Sequence, residues 1–327
     1  EEHVHWFIKQ AQVGTAEAQV NLGVLYQYGQ GVTQDDAQAK AWYEKAAAQG
    51  DARAQRNLGV LYQYGQGATQ DYAQARAWWE KAAAQGDAVA QTQLGVLYAS
   101  GQGVAQDDAQ SKAWYEKAAA QGDVKAQFAL GVLYADGGHG VAQDYAQAKA
   151  WYEKAAAQGD VKAQFALGVL YEYGQGVTQD YAQAKAWYEK AAAQGNAWAQ
   201  RNLGVLYEYG QGVTQDYAQA KAWYEKAAAQ GDAKAQRNLG VLYYKGHGVA
   251  QDYAKAKAWY EKAAAQGDAR AQRNLGVLYQ YGHGVTQDYA KAKAWWEKAA
   301  AQGDAVAQEN LAKLSQEESP KWKFKLF

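Results

Sequence analysis

The sequence contains no cysteine, and this absence excludes several kinds of chemistry. A chain without thiols forms no disulfide, offers no thiolate nucleophile and binds no metal through sulfur. Proline is almost as rare, with only Pro320 near the C-terminal end. No stretch approaches the roughly 18 consecutive apolar residues that a membrane-spanning helix needs. We therefore expect a chain without sulfur chemistry and without a membrane span.

A surplus of charge of either sign is also missing. The chain carries 33 basic and 34 acidic side chains, which gives a formal net charge of −1. Such a balance creates no general attraction for nucleic acid or for an anionic membrane surface. We therefore expect no nucleic-acid partner. The sequence starts at Glu1 without an initiator methionine or a signal peptide, so we expect a processed mature form or a trimmed chain.

The sequence does contain one motif that returns along almost its whole length. Aligned tryptophans mark the repeats, and their spacing is 36 residues except for one step of 37. These tryptophans are Trp6, Trp42, Trp78, Trp114, Trp151, Trp187, Trp223, Trp259 and Trp295. The one additional residue falls in the loop at 136–140, where an insertion is easily tolerated. A fixed period of this kind predicts a repeat architecture.

Each repeat is predicted to form two helices. In one copy, the first helix covers residues 52–64, with Asp51 as its N-cap and Gly65 at its C-terminal end. The second begins at Asp71, and Gln74 completes a capping box. The first helix carries a glycine at its centre, which costs on the order of 1 kcal/mol relative to alanine. Its return in eight repeats predicts close approach of neighbouring helix backbones.

The repeats are expected to stack, because one helix pair of this size cannot bury its apolar face alone. We predict an all-α fold, a right-handed superhelical solenoid of 36-residue helix-turn-helix repeats. Its predicted parts are an N-terminal half repeat (1–14), eight full repeats (15–303), a C-terminal capping helix (304–318) and a basic, aromatic tail (319–327). Half repeats at both ends would allow copies to associate end to end.

The framework residues resemble those of the Sel1-like repeat family, a relative of the tetratricopeptide (TPR) repeats. The matching residues of one copy are Ala54, Leu58, Gly59, Tyr62, Gly65, Gly67, Asp71, Ala75, Trp78, Lys81, Ala82, Ala83 and Gly86. Ala68 and Trp79 depart from the usual valine and tyrosine. The resemblance implies a TPR-like solenoid that acts as a non-catalytic protein-binding scaffold or adaptor, often in bacterial envelope, host-interaction or signalling settings. It slightly favours a periplasmic or secreted location over a cytoplasmic one.

The resemblance also implies a binding surface, because the first helices of TPR arrays line a concave face. Aligned on those arrays, the variable inner positions are Arg53, Arg56, Tyr64, Lys125, Phe128, Lys162, Phe165, Tyr173, Trp198, Arg201, Tyr209, Lys234, Arg237, Tyr244, Arg270, Arg273 and Tyr281. Arginine and aromatic residues are enriched in binding hot spots, so we predict a groove for a peptide or protein segment that is acidic or carries aromatic side chains. Alternatively, the basic residues only solvate this face while the tyrosines pack between repeats. Glu172 and Glu208 interrupt the basic series.

No catalytic, cofactor or metal site is predicted. His139, His247 and His283 occupy loop positions where other repeats carry glutamine, which indicates solvated loop residues. The Gly-x-Gly loops lack the Gly-Lys-Ser/Thr continuation of a phosphate-binding loop. The few serines, among them Ser100 and Ser111, lie in no nucleophile motif. We therefore expect no enzyme activity, no cofactor and no bound metal.

Functions other than an adaptor stay open. The chain could be an immunity protein or inhibitor that sequesters a toxin or enzyme. The near-identity of the repeats fits recent duplication and also a designed consensus scaffold. One cysteine-rich branch of the family is associated with β-lactam binding, which the absence of cysteine makes the least favoured activity. The tail at 321–327 is expected to pack on the last helix through Trp322 and Phe324, or to touch a membrane.

Overall fold

The computed structural model describes residues 2–138 and 140–317, and within these ranges the chain forms 18 α-helices and no strand. Their bounds are α1 (Glu2–Val13), α2 (Ala16–Tyr28), α3 (Asp36–Ala48), α4 (Ala52–Tyr64), α5 (Tyr72–Ala84), α6 (Ala88–Ser100), α7 (Asp108–Ala120), α8 (Val124–Asp136), α9 (Tyr145–Ala157), α10 (Val161–Tyr173), α11 (Tyr181–Ala193), α12 (Ala197–Tyr209), α13 (Tyr217–Ala229), α14 (Ala233–Lys245), α15 (Tyr253–Ala265), α16 (Ala269–Tyr281), α17 (Tyr289–Ala301) and α18 (Ala305–Glu317). The predicted all-α class is confirmed. His139, residue 318 of the expected capping helix and the tail at 319–327 lie outside the described residues.

The helices pair as the repeat predicts. Contacts group the chain into two compact units that divide between Ala163 and Gln164. Within the first unit, α4 packs more extensively against α5 of its own repeat than against α3 of the preceding one. Within the second unit, α14 packs in the same way against α15 and α13. Each unit is therefore an all-α solenoid of helix-turn-helix repeats.

Capping residues set the helix ends at the predicted positions. The Asp51 carboxylate accepts a hydrogen bond from the Ala54 N–H at 3.0 Å, and α4 ends at Gly65 in the left-handed conformation, with φ of 67°. The Asp71 carboxylate caps α5 by accepting from the Gln74 N–H at 3.1 Å. The reciprocal half of the predicted capping box is not formed, because the Asp71 N–H donates to the carbonyl oxygen of Tyr62 at 2.9 Å. This bond ties the inter-helix loop to α4.

The glycine at the centre of each first helix packs against an aromatic ring of the same repeat. A Cβ on Gly59 would lie 2.2 Å from Nε1 of Trp79, whose side chain is completely buried. The equivalent pairs are Gly23–Tyr43, Gly95–Tyr115, Gly131–Tyr152, Gly168–Tyr188, Gly204–Tyr224, Gly240–Tyr260 and Gly276–Trp296. The packing requirement predicted for this glycine is therefore real, but its partner is a side-chain ring instead of a helix backbone. We call it the glycine–aromatic contact.

The tryptophan that marks the period packs at the boundary between its own repeat and the preceding one. Trp78 precedes Trp79 in α5 and packs on a core cluster that combines Tyr43 of the preceding repeat with Leu58 of its own repeat. The ammonium of Lys81 lies over the Trp78 ring, 4.5 Å from its centre, within the range of a cation–π interaction. Trp78 therefore contributes to packing between repeats, whereas Trp79 contacts the central glycine of its own repeat.

Glutamine side chains form a second set of connections. Nε2 of Gln85 donates to Oε1 of Gln55 at 2.8 Å, which joins the C-terminal end of α5 to α4. Nε2 of Gln91, on α6, donates to the carbonyl oxygen of Ala83 in α5 at 3.3 Å. The side-chain pair recurs as Gln49–Gln19, Gln121–Gln91, Gln158–Gln127, Gln194–Gln164, Gln230–Gln200, Gln266–Gln236 and Gln302–Gln272. In each pair the glutamine on the first helix is buried and its partner is exposed. Because the buried amide is hydrogen-bonded, its burial costs little.

The glycine–aromatic contact predicts an unusual response to alanine. We expect Gly59→Ala to lower the free energy of unfolding by about 1–3 kcal/mol, because the added Cβ overlaps the Trp79 ring. In a Trp79→Val background, the same substitution should raise that free energy by up to about 1 kcal/mol, since alanine is the better helix former. Urea unfolding followed by circular dichroism measures both effects. Equal destabilisation in both backgrounds would contradict the contact.

The buried tyrosines predict alkaline unfolding. Burial raises the pKa of the Tyr115 hydroxyl to about 12, and it also raises the pKa of Tyr43, Tyr152, Tyr188, Tyr224 and Tyr260. An unfolded tyrosine titrates near pH 10, so the unfolded state loses these protons first as the pH rises. The stability that the neutral hydroxyl of Tyr115 contributes is complete below about pH 10 and is lost between about pH 10 and 12.

Tyrosinate absorbance recorded together with circular dichroism tests this expectation. The buried tyrosines should ionise only as the helices unfold, and Tyr115→Phe should reduce the slope of stability against pH above about 10. Ionisation of all 26 tyrosines near pH 10 with the helices intact would show that these hydroxyls are not held in a buried, neutral form.

Candidate protein-binding surface

The second position of each first helix places a side chain in solvent. Six of the predicted binding residues share this position and all are exposed; they form the second-position row, Arg53, Lys125, Lys162, Trp198, Lys234 and Arg270. The indole of Trp198 is 57% exposed. Arg270 has no hydrogen-bond or ion-pair partner among the described residues, and the Arg53 guanidinium only approaches Asp51 at 3.7 Å. These side chains are therefore available to a partner.

The arginines at the fifth position of the first helices hold neighbouring repeats together. Nη1 of Arg56 on α4 lies 3.1 Å from Oδ2 of Asp87, while Oδ1 of that aspartate accepts from the Ala90 N–H and caps α6. The same pair recurs in the second unit as Arg201–Asp232, Arg237–Asp268 and Arg273–Asp304, at 2.8, 2.9 and 3.1 Å. Sequence analysis missed this inter-repeat clasp, whose signal is the separation of 31 residues between each arginine and its aspartate.

Phenylalanine replaces arginine at the fifth position of α8 and α10. The Phe128 ring lies 5.7 Å from that of Tyr152, and the ammonium of Lys162 lies 5.9 Å from the Phe128 centroid. The Phe165 ring lies 5.7 Å from the exposed Trp198 indole of the following repeat. These predicted binding residues are half-buried and support the exposed lysine and tryptophan beside them.

The predicted tyrosines divide into two groups. Those at the C-terminal ends of first helices point into solvent, with exposed fractions of 60–66%: Tyr64, Tyr173, Tyr209 and Tyr281. Tyr244 is half-buried, and its ring lies 5.2 Å from Tyr253 of the next helix, α15. Tyrosine packing, the alternative considered from the sequence, therefore describes Tyr244 and does not describe the exposed group.

The two glutamates that interrupt the basic series have partners inside their own repeats. Glu172 accepts a hydrogen bond from the hydroxyl of Tyr188, and Glu208 accepts one from Tyr224. Both tyrosines occupy the aromatic position that faces the central glycine. Burial, followed by the neighbouring carboxylate, raises the pKa of each hydroxyl and keeps it a donor. These glutamates therefore belong to the framework.

Two loop histidines pack on tyrosines of the preceding repeat. The His247 ring lies 4.5 Å from Tyr217, and the His283 ring lies 4.4 Å from Tyr253 at an interplanar angle of 8°. Both are half-buried, so the expectation of solvated histidines is wrong for this pair. At an equivalent position Gln211 donates to the hydroxyl of Tyr181 at 3.3 Å, which explains why glutamine and histidine alternate here.

The described part of the chain shows no assembled reactive centre. No group of three metal-ligating side chains occurs within it. The Ser100 hydroxyl donates to the carbonyl oxygen of Val96 at 2.9 Å, and the buried Ser111 hydroxyl donates to Gly95 at 2.7 Å. These hydroxyls bond to backbone instead of a general base. None of the helices in residues 2–138 and 140–317 has the length and apolarity to cross a bilayer.

Comparison with known proteins identifies the repeat. The Sel1 repeat model matches residues 16–51, 52–87, 88–123, 124–160, 161–196, 199–232, 233–268 and 269–304. A solved protective antigen from uropathogenic Escherichia coli, which displays an SLR fold, is 40% identical over 97% of this chain and 68% of its own, with a TM-score of 0.91. A Sel1 repeat protein from Oxalobacter formigenes is 38% identical over 95% of this chain and 89% of its own, with a TM-score of 0.73. No curated protein sequence matches the chain.

The clasp predicts a charge-specific loss of stability. Asp87→Asn should keep the cap of α6, because Asn196 caps α12 in the same way by accepting from the Ala199 N–H at 2.8 Å. It removes the charged partner of Arg56, so we expect the free energy of unfolding to fall by about 1–2 kcal/mol. Urea unfolding at low and high salt measures the loss, which should shrink as salt screens the pair.

Asp123→Asn is the matched control. Asp123 caps α8 by accepting from the Ala126 N–H at 2.8 Å, but the fifth position of the preceding first helix is Thr92. Its substitution should change stability by less than about 0.5 kcal/mol. Equal losses at Asp87 and Asp123 would mean that only the caps matter.

Proposed function

The chain belongs to the Sel1 repeat family, and from this premise we propose that it is a non-catalytic scaffold or adaptor that binds an extended peptide or protein segment on its first helices. One observation carries the proposal. In the first helices that carry the central glycine, that glycine packs on an aromatic ring, the buried glutamine pairs with a second glutamine and the cap side chain accepts from a backbone N–H. The second-position row, in contrast, is exposed and differs between repeats. A surface that varies on a constant framework is suited to recognition.

The charge of the exposed row favours an acidic partner. The clasp arginines are neutralised by cap aspartates, so they contribute little net charge to this face. The second-position row supplies its own positive charge through two arginines and three lysines, and Glu17 is the acidic side chain at that position of α2. Exposed tyrosines and Trp198 add the contact area typical of binding hot spots.

Stacking of a second copy on the C-terminal helix is less well supported. In α1, Phe7 occupies the position that faces the central glycine in other repeats, but α18 carries Ala312 at the glycine position. The Cβ of an alanine there would overlap the ring of an incoming helix, as it does at Gly59. Glu309 and Lys313, paired at 2.7 Å, also cover this helix with charge. We therefore favour a different protein as the partner.

A pull-down with matched charge variants tests the proposed function. The row variant changes Arg53, Lys125, Lys162, Lys234 and Arg270 to glutamate. It leaves out Arg56 and Arg273, whose loss would loosen the repeats. The control variant changes five exposed lysines of the second helices to glutamate: Lys81, Lys117, Lys154, Lys190 and Lys226. Circular dichroism verifies that both variants are folded.

We expect native and control chains to capture the same partner from bacterial envelope or host-cell lysate, and the row variant to lose it. Capture by the row variant as strong as by the native chain would contradict binding on the first helices. A tight one-to-one complex that abolishes an enzyme's activity would identify the inhibitor form of the same scaffold. Capture of nothing by any chain would favour a consensus scaffold without a natural partner.

A further inference from the structure

Two adjoining cavities open between first helices of the second unit. The larger, of about 310 Å³, is lined by α12, α14 and α16 and contains Glu208, Arg237, Arg270 and Arg273. The smaller, of about 250 Å³, lies between α14 and α16 over the buried second-helix residue Tyr260. Val241, Arg273 and Asn274 line both cavities, so the two lie side by side.

The larger cavity is positive on the side of α14 and α16. Arg237 and Arg273 each use Nη1 in a clasp, and Nη2 of Arg237 also lies 3.5 Å from Oδ1 of Asn238. Other N–H donors of each guanidinium are not engaged by the cap aspartates. Arg270 beside them makes no ion pair with any described residue. Glu208 lies at the opposite side, on α12, and already accepts from the Tyr224 hydroxyl. A ligand carboxylate would therefore bind beside Arg270, where a guanidinium can engage both of its oxygens.

The smaller cavity suits an apolar side chain. Val241 and Val277 form its walls, with the Tyr244 and Tyr260 rings beside them. A cavity of roughly 150 Å³ accommodates benzene, so this one has room for an aromatic or branched aliphatic side chain. Lys245 is at the rim and is exposed. An apolar pocket next to fixed polar groups is the arrangement in which anchor residues of a partner bind.

We propose that these cavities form one subsite for an extended peptide segment in which an acidic residue neighbours a large apolar residue. The carboxylate binds Arg270 with Arg237 and Arg273, and the apolar side chain fills the pocket between Val241 and Val277. The side-chain amide of Asn274, which borders both cavities, is placed to bond the peptide backbone between the two anchors. This subsite rests on the proposed function and assigns it a ligand class and a location.

The chain carries its own control for this subsite. α4 and α16 have the same thirteen-residue sequence, so Arg53 and Arg270 occupy identical positions on identical helices. Their neighbours differ, because α2 presents Glu17 and Val20 where α14 presents Lys234 and Arg237. Charge reversal at Arg53 therefore makes the same substitution in an identical helix that does not line the two cavities.

The experiment selects random eight-residue peptides by display on the full chain. Selected peptides are then synthesised with a fluorophore, and their affinities for native, Arg53→Glu and Arg270→Glu chains are measured by anisotropy. We expect the selected peptides to share Asp or Glu beside Phe, Leu or Ile. Arg270→Glu should weaken binding about tenfold or more, and at least about fivefold more than Arg53→Glu does. Circular dichroism verifies the fold of both variants.

Substitutions in the peptide test each anchor without altering the protein. Replacing the acidic residue by its amide, or the apolar residue by alanine, should each weaken binding several-fold. Peptides that lack this pair, or that bind Arg270→Glu as tightly as the native chain, would overturn the subsite. The pull-down with the row variant would still test the proposed function independently. Failure to enrich any peptide would also overturn the subsite.

Discussion

The contact between a glycine and an aromatic ring inside each repeat is the constraint on which the rest of the structure depends. The Trp79 ring lies where a Cβ of Gly59 would be, so the two helices pack closer than any other residue at that position allows. A buried ring with a polar atom then requires a partner. Trp79 donates to the carbonyl oxygen of Arg56 at 3.1 Å, whereas Tyr43 donates to Gln27 at 2.7 Å. The choice between tryptophan and tyrosine therefore determines whether the C-terminal end of the first helix must supply a side-chain hydrogen-bond acceptor.

The glycine–aromatic contact also separates the positions that maintain the fold from the positions that can bind a partner. The aromatic contact, the glutamine pairs and the caps each require a particular residue in or next to the first helix. Only a few positions of that helix are therefore free to vary. The fifth position of the first helix has two roles. Arg201 there pairs with Asp232 of the next repeat, whereas Phe165 packs against the exposed Trp198. The second position makes few contacts of its own and is exposed in both units. The side chains available to bind a partner therefore lie at positions where substitution leaves the solenoid intact.

The sequence predicts the fold to the level of individual helices but not the pairing between repeats. The bounds of α4 at Ala52–Tyr64 and its Asp51 cap follow from capping residues and the helical period, because both are local signals. The Arg56–Asp87 clasp and the stacking of His283 on Tyr253 join residues of different repeats, so no local pattern reveals them. The central glycine showed that something packs closely there, but the sequence alone did not identify the ring.

The two identical helices show why a binding site is harder to predict than a fold. α4 and α16 share every residue, yet the cavity beside Arg270 exists because of side chains on α12 and α14. The most direct test of the account is photo-crosslinking of a selected peptide that carries a photoreactive group, with the linked residues mapped by mass spectrometry. The account predicts links to first helices, concentrated on α12, α14 and α16. Links confined to second helices or inter-helix loops would contradict recognition by the first helices.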